Sequence, residues 1–201
     1  MEEQSTWVFL LAGTVTFITV FIQILTKTGA FRRVLAKQAD WRDKIIVVVF
    51  FGAFSILGTY IGIRFPSGAI GNVRDLGPMI AGFTGGPLIG LGAGLIGGIH
   101  RYFLGGFTCI PCSLATVLAG LITGIAQKLN RGNLIGLWRA VLLAVLIECL
   151  HMGLVLLIAR PFSEALALVK ETMFPMILAN AVGVAINVLF ISELPQQRKQ
   201  E

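Results

Sequence analysis

Long apolar runs dominate this 201-residue chain and restrict what it can fold into. Hydrophobic residues make up 56% of the sequence and charged residues only 13%. A transmembrane helix needs about 20 consecutive apolar residues, and backbone polar groups inside a bilayer must be satisfied within the segment. We therefore predict an all-α membrane bundle with five full spans, at Trp7–Thr26, Ile45–Ile63, Phe107–Ala126, Leu137–Ile158 and Met173–Ile191.

A sixth apolar segment, Pro78–Ile99, is interrupted by its own sequence. The run Gly85-Gly86-Pro87 stands in its middle. Proline removes a donor from the helical ladder, and paired glycines favour a turn. The segment is predicted to be either one kinked helix or two half-helices that enter and leave on the same side. It completes a bundle of six hydrophobic segments.

Basic residues are concentrated in the connections between the apolar runs. The formal net charge of +6 is compatible with nucleic-acid binding in principle. Charges placed between spans fit the positive-inside rule instead, so no nucleic-acid partner is expected. Residues 27–44, residues 127–139 and the C-terminal tail are predicted to be cytoplasmic. The N-terminus and residues 64–78 and 160–172 are predicted to lie outside, in a multi-pass protein of the plasma (inner) membrane.

This topology favours the re-entrant form of Pro78–Ile99. One full helix plus a hairpin gives the odd number of crossings that the charge pattern needs between residues 78 and 127. Arg74, His100 and Arg101 then all lie near the outer face. A glycine-rich membrane segment that keeps two arginines is predicted to hold an anion.

Arg74 allows two interpretations. It is either an ordinary loop arginine paired with Asp75, or a fork that holds a carboxylate in bidentate geometry, which lysine does poorly. Asn72 is placed to orient the fork. Asp75 is predicted to bond backbone amides at the start of the helix that Pro78 opens.

Arg101 follows His100 at the end of the glycine-rich segment. An arginine in this place can simply extend to the membrane interface. The neighbouring aromatic and glycine residues, Tyr102 to Gly106, instead favour a small-ligand pocket. His100 is either structural or a pH-sensing group.

Cys109 and Cys112 form a C-x-x-C motif around Pro111. The motif suits a redox pair, two small buried residues, or a ligand contact by Cys112. No second C-x-x-C or suitable histidine completes a zinc site, so neither a metal nor a cofactor is predicted.

Glu148 and His151 lie one helical turn apart within the span Leu137–Ile158 and so share a face. An ionisable pair inside a membrane is a candidate functional site. The alternatives are a mutually satisfied structural pair, or partners for Asn180 and Asn187 on the last span.

Several motifs together point to a known family. They are Asn72-x-Arg74-x-x-Gly77, Ala81-Gly82-x-x-Gly85-Gly86-Pro87, Gly97-Gly98-x-His100-Arg101-Tyr102 and Gly105-Gly106-x-Thr108, extended by Ile158-Ala159-Arg160-Pro161-Phe162, Pro175 and Asn180. With these motifs the chain resembles the membrane sensor domain of LytS-type histidine kinases, the five-transmembrane LytS receptor family. The resemblance covers most of residues 45–191.

The resemblance implies a receptor for a small extracellular carboxylate of the pyruvate kind. By position, Arg74, Arg101 and Cys112 fall where the family contacts its ligand. A hydroxyl contact of the family's pyruvate sensor aligns with Ala115, and Ser113 lies close by. The implied partners are a second copy of the chain, membrane lipid, and a cytoplasmic output domain or response regulator.

The resemblance further divides the chain into a sensor domain at 1–194 and the start of a cytoplasmic linker at 195–201, whose output module is not in this sequence. The region itself is predicted to sense rather than catalyse, within a full-length histidine kinase. Two rival functions stay open. One is the substrate-binding membrane subunit of a vitamin uptake transporter, and the other is a proton-coupled transporter that uses Glu148 and His151.

Overall fold

The computed structural model describes residue 16 and residues 19–61, 63–64 and 70–197. Helices dominate this part of the chain, with one two-residue antiparallel ladder between β1 (Ile63–Arg64) and β2 (Ile70–Gly71). The helices are α1 (Gly29–Leu35), α2 (Trp41–Tyr60), α3 (Leu76–Gly85), α4 (Pro87–Phe103), α5 (Cys109–Leu129), α6 (Leu137–Ile158) and α7 (Phe162–Gln197).

Four of the described helices, α2, α5, α6 and α7, are long and apolar enough to cross a membrane. The bounds of α6 are those predicted from the sequence. Helix α2 begins at Trp41 rather than Ile45, because Asp40 and Asp43 cap each other's backbone amides there. The predicted span Trp7–Thr26 lies largely outside the described residues, although residues 19–26 are helical. The all-α membrane bundle is confirmed.

The glycine-proline interruption produces a helical hairpin. Helix α3 ends at Gly85, Gly86 adopts a φ of 81°, and α4 starts at Pro87. A φ in this region is available to glycine at little cost. A Cβ added at Gly90 would lie 2.8 Å from the Cα of Gly82, so α3 and α4 run side by side. Of the two predicted forms, the broken one is therefore found.

Helix α5 packs closely along this hairpin. A Cβ placed on either Gly90 or Gly120 would collide with the carbonyl oxygen of the other, so the two backbones touch. Contact at this distance requires small residues on both helices. The hairpin is thereby held in the centre of the bundle, against α5 on one side and α2 on the other.

The two ends of the bundle differ in charge. The Lys37 ammonium donates to Arg131 O at 3.1 Å and to Asn133 Oδ1 at 2.9 Å, which joins the two basic connections. We call this the basic end. A Cβ at Gly86 would lie 3.1 Å from Gln127 Oε1, so the hairpin tip is also there. The start of α3 and the end of α4 consequently share the opposite end, here called the pocket end.

The last helix differs from the sequence prediction. Residues 160–172 were expected to form an outer loop, whereas α7 already begins at Phe162 and continues for 36 residues. Residues at helical spacing explain the extension. Ala165, Val169 and Met176 are buried against Met152 and Val155 of α6. This apolar contact extends the helix by about three turns beyond the predicted span.

Candidate ligand-binding site

A cavity of about 500 Å³ lies at the pocket end. It is bounded by the start of α3, the end of α4, and faces of α5, α6 and α7. Its lining residues are Thr59, Asn72, Arg74, Arg101, Leu104, Gly105, Gly106, Phe107, Thr108, Cys112, His151, Met152, Val155, Glu164, Ala167, Leu168, Thr172 and Met176.

Arg74 is fully buried at the wall of this cavity. Its Nε donates to Thr116 Oγ1 at 2.8 Å and lies 3.7 Å from Asp75 Oδ1. The terminal Nη1 and Nη2 atoms are buried and have no hydrogen-bond partner among the described residues. A buried guanidinium with two unused nitrogen atoms is costly unless an anion completes it. The arrangement leaves both terminal nitrogen atoms of the guanidinium unpaired.

The backbone of Arg74 is fixed from two sides. Asn72 Oδ1 accepts from the Arg74 amide at 3.2 Å, and Ser55 Oγ donates to Arg74 O at 3.0 Å. A Cβ at Gly58 would lie 3.1 Å from the Arg74 backbone, so α2 approaches closely here. Asn72 thus contacts the backbone of Arg74, and its predicted role of orienting the guanidinium fork stays a prediction.

Asp75 does not have the predicted capping role. It occupies the N-cap position of α3 but makes no side-chain capping hydrogen bond. Its carboxylate is turned inward, where Oδ1 accepts from Thr116 Oγ1 at 2.6 Å and Oδ2 lies 2.9 Å from His151 Nδ1. The Arg74 guanidinium places a full positive charge beside this carboxylate, which a backbone amide does not.

Glu148 extends this buried polar cluster. His151 Nδ1 lies 3.8 Å from Glu148 Oε2, and both glutamate oxygens are buried without a hydrogen-bond partner in the described part of the chain. The ligand atoms of Asp75, Glu148 and His151 all lie within 4.8 Å of one another, close enough to hold a cation. Arg74 already supplies a positive charge beside Asp75. Of the predicted pair, only His151 reaches the cavity.

Asn180 and Asn187 do not bond to Glu148 or His151. Each amide donates instead to a carbonyl of its own helix, Asn180 Nδ2 to Met176 O at 3.1 Å and Asn187 Nδ2 to Gly183 O at 2.7 Å. Side chains that bond back to the preceding turn stay close to their own helix. The suggested partnership is therefore wrong for these described contacts.

Arg101 lines the cavity and donates hydrogen bonds to the loop that follows α4. Its Nη1 donates to Gly105 O at 2.7 Å, and its Nη2 donates to Thr108 Oγ1 at 3.0 Å. These two bonds direct the guanidinium to the loop, and the alternative of extension to the membrane interface stays a prediction. The charge of Arg101 faces the same cavity as Arg74, with part of its hydrogen-bonding capacity already used by the loop.

The remaining predicted residues separate into two groups. Cys112 lines the cavity, whereas Ser113 does not, because the next residue on a helix points about 100° away. The backbone of Ser113 lies against α4, where a Cβ at Gly98 would lie 2.9 Å from the Ser113 carbonyl oxygen. His100 also lies outside the lining, with Nε2 3.1 Å from the Tyr60 hydroxyl. Cys109 and Cys112 are both free thiols.

Thr116 and the inward-facing Asp75 were not identified from the sequence as site residues. Thr116 stands four residues after Cys112, hence on the same face of α5, and its hydroxyl contacts both Arg74 and Asp75. That spacing was the available signal. Asp75 was recognised only as a helix cap, since sequence alone does not show that its side chain turns toward α5 and α6.

The fold and the cavity define a multi-pass α-helical membrane protein with an arginine-lined pocket at one end. The chain belongs to the family 5TM-5TMR_LYT, described as 5TMR of 5TMR-LYT, which matches residues 28–194. This confirms the resemblance to the LytS-type sensor domain and a multi-pass location in the plasma membrane.

Curated relatives agree with the family assignment. Sensor protein LytS of Bacillus anthracis is 35% identical over 211 residues, covering 96% of this chain and 35% of the relative. Sensor protein LytS of Bacillus subtilis (strain 168) is 33% identical over 203 residues, covering 92% of this chain and 34% of the relative. Sensor histidine kinase BtsS of Escherichia coli (strain K12) is 30% identical over 184 residues, covering 89% of this chain and 33% of the relative.

The chain thus spans about a third of the length of these relatives. No solved structure matches it.

Proposed function

We propose that this chain is the ligand-sensing membrane region of a two-component sensor, and that its cavity binds a small extracellular carboxylate of the pyruvate kind. The observation that carries the proposal is the buried, unpaired guanidinium fork of Arg74. Its two Nη atoms are buried at the cavity wall without a partner among the described residues. A carboxylate matches this fork with two parallel hydrogen bonds.

Arg101 supports the same ligand class from the opposite side of the hairpin. It shares the cavity with Arg74, and Cys112 and His151 lie on the same lining. Two guanidinium groups around one cavity favour an anion over a neutral solute or a cation. A neighbouring keto oxygen would accept a hydrogen bond from whichever arginine nitrogen the carboxylate leaves unused.

Helix α7 is the proposed route of the signal. Thr172 and Met176 line the cavity, and the same helix continues without interruption to Gln197. A ligand that contacts α4, α7 and the segment before α3 together would favour one packing of α7 over another. It shifts the equilibrium only by its difference in affinity for the two packings. The proposed receivers are a cytoplasmic histidine kinase module, within a homodimer, and its response regulator.

The names of the relatives favour sensing over the subunit of a vitamin transporter, since all three are called sensors. Proton-coupled transport has a specific observation of its own, namely the buried Glu148 and His151 beside the cavity. The two functions differ in what they do with the ligand. A transporter accumulates radiolabelled pyruvate in liposomes with an imposed pH gradient, whereas a sensor domain only binds it.

The binding experiment is isothermal titration of pyruvate into the detergent-solubilised chain. Charge-assisted hydrogen bonds contribute about 1.5–3 kcal/mol each, so Arg74→Gln should weaken binding by roughly one to two powers of ten. Arg74→Lys should recover only part of the affinity, because lysine lacks the planar fork.

Arg160→Gln is the matched control. Arg160 is an exposed arginine near the same end, bonded to Ala159 O and absent from the cavity lining. Its replacement should leave pyruvate affinity unchanged. Equal affinity in Arg74→Gln and the parent chain would refute the site.

A further inference from the structure

The cavity has two chemically different walls. The wall formed by α4, α5 and the segment before α3 carries polar and cationic groups, among them Asn72, Arg74, Arg101 and Thr108. The part of the lining contributed by α6 and α7 is mainly apolar, with Met152, Val155, Ala167, Leu168 and Met176 beside the polar residues His151, Glu164 and Thr172. A ligand that fills such a cavity needs an anionic head and an apolar body.

The volume supports the same conclusion. Pyruvate has six heavy atoms, and even at the roughly 30 Å³ that a water molecule occupies in the liquid they fill only about 180 Å³. The cavity measures about 500 Å³. A three-carbon acid held by Arg74 would leave the wall of Met152 and Leu168 in contact with water. An apolar substituent would displace that water and gain its burial energy.

The negative charge of Glu164 on α7 restricts which groups the ligand can carry at the end away from its carboxylate. Glu164 lies on the α7 part of the lining, which carries no arginine. A second carboxylate extended toward α7 would meet this negative charge and an apolar surface that cannot solvate it. The cavity therefore disfavours dicarboxylates.

From these walls we infer that the ligand is a monocarboxylate with an apolar tail, of the size of a branched six-carbon 2-oxo acid. The inference rests on the proposed function and specifies its ligand class. The carboxylate binds at Arg74, the 2-oxo group lies toward Arg101, and the tail packs between α6 and α7 on Met152, Leu168 and Met176. Burial of each added methylene lowers Kd about fourfold, the equivalent of about 0.8 kcal/mol.

The test is a titration series on the full chain in detergent, with pyruvate, 2-oxobutanoate, 4-methyl-2-oxopentanoate and 2-oxoglutarate as probes. We expect Kd to fall about fourfold from pyruvate to 2-oxobutanoate, and by more than tenfold from pyruvate to 4-methyl-2-oxopentanoate. The dicarboxylate should bind the most weakly. Arg74→Gln should weaken all the monocarboxylates, whereas partition of an apolar acid into the micelle would be unaffected by this change.

Ala167→Leu tests the tail site directly. The larger side chain fills the apolar wall, so it should remove the preference for the branched acid over pyruvate. Ala53→Leu is the matched control, since Ala53 is an exposed alanine of α2 that does not line the cavity.

The outcomes separate the two proposals. Pyruvate binding that depends on Arg74, with no gain for the longer acids, overturns the tail site and leaves the carboxylate sensor intact. If the Arg74→Gln variant still binds the branched acid as tightly as the parent chain, the inferred binding mode, with the carboxylate at Arg74, is overturned as well. No binding of any acid refutes the proposed function itself.

Discussion

His151 Nδ1 lies 2.9 Å from Asp75 Oδ2 in the interior of the bundle, and this contact joins α6 to the start of α3. Both side chains are almost completely buried. Since Asp75 also accepts from Thr116, which in turn accepts from Arg74, the contact helps to determine where the guanidinium stands. The cluster therefore links the position of α6 to the proposed anion site.

Removal of either partner of this contact should destabilise the protein. An uncompensated buried charge costs about 3–5 kcal/mol, which corresponds to a fall in Tm of roughly 10 °C for a domain of this size. Asp75→Asn and His151→Gln should each lower the Tm measured by circular dichroism in detergent. The double variant should melt close to the single ones, because the second change removes a contact already lost.

Arg33 of the ion pair Arg33–Asp43 provides the control. The Arg33 side chain is 53% exposed, so water and salt screen the interaction. Arg33→Gln leaves the capping carboxylate of Asp43 in place and should have a smaller effect on Tm. If Asp75→Asn and His151→Gln lowered Tm independently, with fully additive effects, the two residues would not be coupled.

Thr116→Val should weaken binding of the proposed ligand without unfolding the chain. The change keeps the shape of the side chain but removes the hydroxyl that accepts from Arg74 Nε at 2.8 Å. The guanidinium then loses one fixed contact, so we expect pyruvate affinity to fall about tenfold in isothermal titration. Thr116→Ser should retain most of the affinity.

Thr123→Val is the parallel change two turns further along α5. Its buried hydroxyl bonds only to the carbonyls of Ala119 and Gly120, and it is absent from the cavity lining. Pyruvate affinity should be unaffected there. A tenfold loss in both variants would show that α5 as a whole, rather than the hydroxyl of Thr116, controls binding.

Much of the architecture was predictable because bilayer physics acts locally. The apolar run Leu137–Ile158 sets the bounds of α6, and Gly86-Pro87 sets the hairpin turn. That Arg74 and Arg101 lie at the same end of the bundle was predictable from the number of membrane crossings and from the positions of the basic residues. The approach of His151 to Asp75 was not predictable, since it depends on how α6 is rotated against α3. No local pattern specifies that rotation.

The onset of α7 was missed for a related reason. Residues 162–172 contain charged side chains, so hydropathy alone assigns them to a loop. Burial of Ala165, Val169 and Thr172 at helical spacing shows their amphipathic character. This section matters for function, because Glu164, Ala167 and Leu168 form part of the cavity wall.

Cys112 should report occupancy of the cavity. It lines the pocket as a free thiol, whereas Cys149 is exposed on the outer surface of α6. A membrane-impermeant thiol reagent applied from the pocket end should modify Cys112, and saturating pyruvate should slow that reaction at least several-fold. Mass spectrometry of peptides quantifies each site. Equal protection of Cys149 would indicate a global change rather than a local ligand.

The side of the membrane that each end faces can be tested by labelling. The basic end carries Lys37 and Arg131, so the positive-inside rule predicts that it is cytoplasmic. In a cysteine-free background, Ala36→Cys should resist an impermeant maleimide applied to intact cells and react after lysis. A cysteine at Gly106, on the loop at the pocket end, should react in intact cells. The reverse pattern would invert the topology.

Gly120→Ala should disrupt the packing on which the site depends. A methyl group there collides with Gly90 O, and the Cβ would also lie 3.2 Å from Pro78, so α5 must move away from the hairpin. Overpacking of this kind costs about 1–3 kcal/mol, equivalent to a fall in Tm of roughly 2–12 °C in detergent. Because Thr116 lies one turn earlier on the same helix, pyruvate affinity should fall too. Gly153→Ala, on α6 with open space around its Cβ position, should leave affinity unchanged and raise Tm slightly, because alanine is favoured over glycine inside a helix by about 1 kcal/mol. Unaltered stability and binding in Gly120→Ala would contradict the close contact between α4 and α5.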